Sequence, residues 1–67
     1  MSDVDLRVDD ASATITYIGE AARTVAESAP AWKIKRLSTT GTVLTMTWAD
    51  GSNDYDKVWA NRATYSY

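Results

Sequence analysis

Two groups of residues in this 67-residue chain have types and spacings that could do chemistry. The run Asp50-Gly51-Ser52-Asn53-Asp54-Tyr55-Asp56 is dense in the oxygen ligands that hard cations take. A calcium loop needs alternating acids, a central glycine and a distant bidentate glutamate; here the glycine is misplaced and no glutamate follows. A turn leading into a helix, capped by Ser52 or Asn53 with Asp54 and Asp56 in its first turn, accounts for the same residues. The second group is Lys33, Lys35 and Arg36 beside Trp32, with Trp48 further on. On paired strands these would make a stacking platform in a basic groove, as in small barrels that hold single-stranded nucleic acid. Lysines on the solvent face of a strand, discouraging edge-to-edge association, explain them more simply. Histidine and cysteine are absent. That removes the Ser-His-Asp and Cys-His nucleophile pairs and every thiolate or imidazole metal site. Paired-carboxylate chemistry would need a cleft that so short a chain rarely encloses. The sequence therefore predicts no enzyme, no metal and no cofactor.

The elements that would position these residues read as mostly β. Residues 32–39 and 42–48, separated by Thr40-Gly41, carry the strand–turn–strand signal of a hairpin. Leu44, Met46 and Trp48 alternate with Val43, Thr45 and Thr47 at a period of two. Trp32 and Ile34 share a face against Lys33 and Lys35, while Leu37 falls out of step with Ile34 and suggests a bulge near Arg36. Residues 13–18 (ATITYI) read as a further strand ending at Gly19. Residues 20–30 read as a contact loop with one helical turn, stopped by Pro30. Tyr55, Val58, Trp59, Arg62 and Ala63 recur at helical spacing, predicting a helix of about ten residues packed on the sheet. Residues 64–67 alternate and could close as a last strand.

The fold expected is thus mostly β with one short C-terminal helix, a small twisted antiparallel sheet or partial barrel centred on the 32–48 hairpin. Residues 1–12, acidic through Asp3, Asp5, Asp9 and Asp10, form an N-terminal arm in this reading, with Leu6 and Val8 leaving a short edge strand as the alternative. Residues 13–67 form one domain. The expected core is Ile15, Trp32, Ile34, Leu44, Met46, Trp48, Val58 and Trp59.

Composition bounds the partners. Hydrophobic residues make up 45% and charged residues 24%, ordinary for a globular protein. The net charge of −2 supplies no global attraction to nucleic acid or to anionic membranes. No apolar run reaches membrane-spanning length, and the acidic start lacks a signal-peptide pattern, so synthesis in the cytoplasm is expected. A chain of this size builds only a marginal core, and without cysteine or a structural metal the remaining support is contact with other chains. Three Trp and four Tyr supply all the aromatic bulk, with no Phe. Such amphipathic rings suit half-exposed sites and interfaces. The expected interface residues are Leu6, Val8, Val25, Tyr65 and Tyr67, in a homo-oligomer or on a lattice.

Several stretches together carry a resemblance: Ala31-Trp32-Lys33-Ile34-Lys35-Arg36-Leu37, Thr39-Thr40-Gly41-Thr42, Thr47-Trp48-Ala49-Asp50-Gly51, and Tyr55-Asp56-Lys57-Val58-Trp59 with the residues up to Tyr67. With Thr16-Tyr17-Ile18-Gly19-Glu20-Ala21 and the acidic start, they resemble small virion structural proteins of tailed bacteriophages over residues 9–67. The chain departs from that pattern at Arg23, where related loops tend to carry Pro-Gly, so the resemblance does not settle the 20–30 loop. It implies a non-enzymatic component of a phage particle, made in the host cytoplasm: a capsid cement or decoration protein, or a small tail, neck or fibre subunit. Its partners would be major capsid, portal, neck or tail proteins, with no membrane and no catalytic residues. The alternatives are a small single-stranded nucleic-acid-binding β-barrel using Trp32, Lys33, Lys35 and Trp48, and an antitoxin-like inhibitor that binds one partner stoichiometrically.

Overall fold

Thr40, Gly41, Thr42 and Val43 set the centre of the fold. Gly41 has φ +62° and Thr42 stays at negative φ, the type II′ arrangement whose twist matches that of the flanking strands. The turn joins β3 (Pro30–Thr40) to β4 (Val43–Trp48), paired without interruption from Thr40↔Val43 to Lys35↔Trp48. The computed structural model describes residues 4–22 and 24–67; the expected arm's first three residues and Arg23 lie outside that set. β1 (Val4–Asp9) and β2 (Ile15–Ala22) complete an antiparallel sheet in the order β1-β2-β3-β4. The short β5 (Lys57–Val58) pairs with β3 at Pro30 and Trp32, a stretch of β3 that β4 does not reach. The sheet is open, with β1 and β4 as its edges.

Side chains alternate along a strand, so the pairing sorts them into two faces. One face carries the cross-strand rows Arg7–Gly19–Ile34 and Asp9–Tyr17–Arg36–Thr47, together with Ala21 and Trp32. The chain after β4 folds back over this face. Trp59 begins a 3₁₀ segment (Trp59–Thr64), and its ring lies 5.9 Å from that of Trp32. Ala21, Trp32, Ile34, Ala49 and Trp59 are buried there, with Tyr17, Val25, Tyr65 and Tyr67 against them.

Five expectations are corrected. The C-terminal helix is shorter than the ten residues expected: it is the 3₁₀ segment Trp59–Thr64, and Lys57–Val58 before it forms β5. An isolated helix of about ten residues is marginal, whereas the extended form pairs with β3 and seats Trp59 on Trp32. β2 does not end at Gly19 but runs to Ala22, because the missing side chain makes room for the Trp59 ring. No bulge occurs at Arg36; Leu37 points to the second face, and the one irregularity of β3 lies between Pro30 and Trp32. Residues 64–67 are not a strand but a tail held by Asp50, whose N–H donates to Ser66 O (2.7 Å) and whose Oδ1 accepts from Ser66 N (3.1 Å). Finally, Val4–Asp9 is not a free arm but the edge strand that Leu6 and Val8 allowed.

Candidate interaction surface

The second face of the sheet is built by the same pairing one residue out of phase. Its rows are Leu6–Glu20–Lys33, Val8–Ile18–Lys35–Trp48, Thr16–Leu37–Met46 and Thr39–Leu44. No segment of the described chain lies across it as the C-terminal segment lies across the first face. Leu6 is 60% exposed, Val8 67% and Leu44 62%. Contiguous apolar surface of this kind on a small domain marks an interaction site more often than scattered exposed residues do.

Charge is focused at one end of this face. The Lys33 and Lys35 ammonium groups lie 5.5 and 5.6 Å from the centroid of the Trp48 ring, and Lys33 is 4.9 Å from that of Tyr55. Tyr55 donates a hydrogen bond to Glu20 Oε1 (3.3 Å). Leu6, Ile18, Glu20, Lys33, Lys35 and Trp48 line an open hollow of about 220 Å³. The combination is an apolar floor with two cations and one carboxylate at its rim, suited to an extended or aromatic group with some negative charge.

The structure separates residues that the sequence suggested would act together. Trp32 is fully buried on the first face while Trp48 is half-buried on the second, so no joint stacking platform exists. Trp32 Nε1 instead donates to Ala26 O (2.9 Å), and the Arg7 guanidinium stands 5.4 Å from its ring. Among the expected core residues, Trp32, Ile34 and Trp59 are buried, while Ile15, Trp48 and Val58 are half-buried. Leu44 and Met46 are exposed instead of buried, because the sheet has a cover on the other face only. Tyr55, expected beside Trp59 in the core, is also exposed.

Among the expected interface residues, Leu6 and Val8 lie on the uncovered face. Val25, Tyr65 and Tyr67 instead pack on the chain's own core. Tyr65 Oη accepts from Val58 N (2.7 Å), and Tyr67 donates to Arg62 O (2.7 Å) while tilting against Tyr17 at 5.7 Å. Burial, with Tyr17 adding to it, pushes the Tyr67 hydroxyl up to about 12. The oxygen-rich run is engaged locally: Asp50 holds the tail, Ser52 Oγ accepts from Asp54 N (3.2 Å), and Asp56 pairs with Lys57. The Asp56 bond raises the Lys57 ammonium above its usual value even though burial opposes it. Ile18, Leu37 and Glu20 complete the surface and were not singled out from sequence. The phase break at Leu37 was their one signal: it marks a second apolar face, not a bulge. Comparison with protein families, with curated proteins and with solved structures finds no match to this chain.

Proposed function

We propose that this chain is a non-enzymatic assembly module that docks its uncovered sheet face on other proteins, and that it is a structural component of a bacteriophage particle. The observation behind the docking is the exposure of Leu6, Val8, Leu44 and Met46 on one face of a domain whose other face is already covered. The resemblance in residues 9–67 favours a capsid cement or decoration protein, or a small tail, neck or fibre subunit, with major capsid, portal, neck or tail proteins as partners. Such subunits add stability by burying a face on a larger lattice, and this chain has a face to bury. Incorporation into particles is the test. Particles assembled from the genome encoding the chain are expected to contain it in many copies, and the double substitution Leu6→Asp/Val8→Asp is expected to remove it from them. Particles without the chain would end the virion reading; undiminished incorporation of the folded double variant would end the docking face.

A second reading has its own observation, the two lysines on Trp48. Single-stranded nucleic acid would have to displace both ammonium groups to stack there, with Glu20 at the same rim. The reading predicts quenching of tryptophan fluorescence by oligonucleotides that weakens steeply with salt; no quenching at low salt eliminates it.

A further inference from the structure

The two edges of the sheet differ in chemistry. β1 carries Asp5, Arg7 and Asp9 at alternate positions, and charge on an edge discourages pairing with a further strand. β4 has neither a charge nor a proline between Val43 and Trp48, and Val43, Leu44 and Met46 are 61%, 62% and 45% exposed. In a two-residue hairpin the pair flanking the turn is hydrogen-bonded, and bonded pairs alternate along the ladder. Thr40↔Val43 is that pair here. Val43, Thr45 and Thr47 therefore bond to β3, while the backbone groups of Leu44, Met46 and Trp48 point to the open edge.

We propose that β4 pairs antiparallel with β4 of a second copy of this chain, about a two-fold axis through Met46, to make one continuous sheet through both copies. An axis perpendicular to the sheet keeps each face on its own side, so opposed residues must share a face. Centring on Met46 sets Leu44 opposite Trp48, Met46 opposite Met46 and Thr45 opposite Thr47. Apolar residues then meet on one face and threonines on the other, both favourable cross-strand pairings, and no charge faces a charge. The pairs that would hydrogen-bond across the axis, Leu44 with Trp48 and Met46 with Met46, belong to the set whose backbone groups already face the edge. A second copy also joins the two apolar faces into one wider surface. The pairing rests on the reading of the chain as an assembly module and names the partner of its edge.

The experiment is sedimentation of the purified full-length chain and of two variants, Met46→Lys and Met46→Glu. The wild-type chain is expected to be a dimer. Each variant alone places like charges on the axis and is expected to weaken the dimer about tenfold or more, with its β-sheet circular dichroism unchanged because Met46 is exposed. Mixing the two variants sets lysine against glutamate and is expected to restore the dimer. A wild-type monomer at all concentrations, or a dimer indifferent to both substitutions, overturns the pairing; two monomeric variants that fail to combine overturn the register through Met46. Leu6→Asp/Val8→Asp, on the far side of the sheet, is expected to leave the dimer intact. Failure of face docking and failure of edge pairing are thereby read separately.

Discussion

Gly19 lies inside β2, where glycine ordinarily weakens a strand. Its place is explained by Trp59, whose ring occupies the space a side chain would take: a Cβ there would overlap Trp59 Cε3 and stand 2.6 Å from Cζ3 and 3.2 Å from Trp32 Cε3. Gly19→Ala is therefore expected to push Trp59 off Trp32 at a cost of about 1–3 kcal/mol, read by urea denaturation. An unchanged midpoint would show that the Trp59 ring can move aside freely. Tyr67 supplies a second prediction at this scale. Its folded-state value of about 12 exceeds the ordinary value of 10.0, so between those limits the folded chain keeps a proton that the unfolded chain releases. The associated stability is complete below pH 10 and is lost as pH rises toward 12. Stability measured across that interval is expected to fall less steeply in Tyr67→Phe than in the wild type.

At the scale of elements, β1 and the tail act as parts of the domain. Arg7 bonds Glu27 (2.9 Å) and Asp9 bonds Arg62 (2.9 Å), so β1 ties the 24–29 loop and the C-terminal segment to the sheet. Ion pairs this open to solvent are worth little by themselves, the Arg7–Glu27 pair least; removing the strand, however, also bares the edge of β2. Deleting residues 2–10 is expected to lower Tm by about 10 °C or more, whereas loss of a free arm would leave it unchanged. Asp50 stands at φ +53°, which aspartate tolerates better than most residues, and anchors Ser66 through both its backbone and its side chain. Asp50→Ala is expected to cost about 1–2 kcal/mol and to loosen the tail, seen as faster amide exchange at Ser66 and Tyr67.

The whole molecule is one sheet with a cover on one face. Among the described residues two large side chains, Trp32 and Ile34, are fully buried, so the isolated chain is expected to hold no more than about 3–5 kcal/mol of stability. If a second copy or a lattice contributes the rest, the unfolding midpoint should rise with protein concentration by mass action. A midpoint constant over a hundredfold dilution would mean that a single copy contains all of its stability. No described helix is long and apolar enough to cross a membrane.

The β class, the central hairpin and its turn, and three of the buried residues are legible in the residues alone. These follow from local rules: a period of two, a glycine free to take positive φ, and tryptophans flanked by alternating polar residues. The absence of His and Cys chemistry is legible too, because composition alone decides it. What residues 55–67 become depends on long-range contacts, since their helical spacing was outweighed by a strand partner in β3 and a seat for Trp59 beside Gly19. Which face of the sheet is covered depends on such contacts too. Leu44 and Met46 alternate as well as any core residues do, but alternation reports that a face is apolar and not that anything lies upon it. A cover comes from distant segments folding back, and here those segments reach one face and leave the other open.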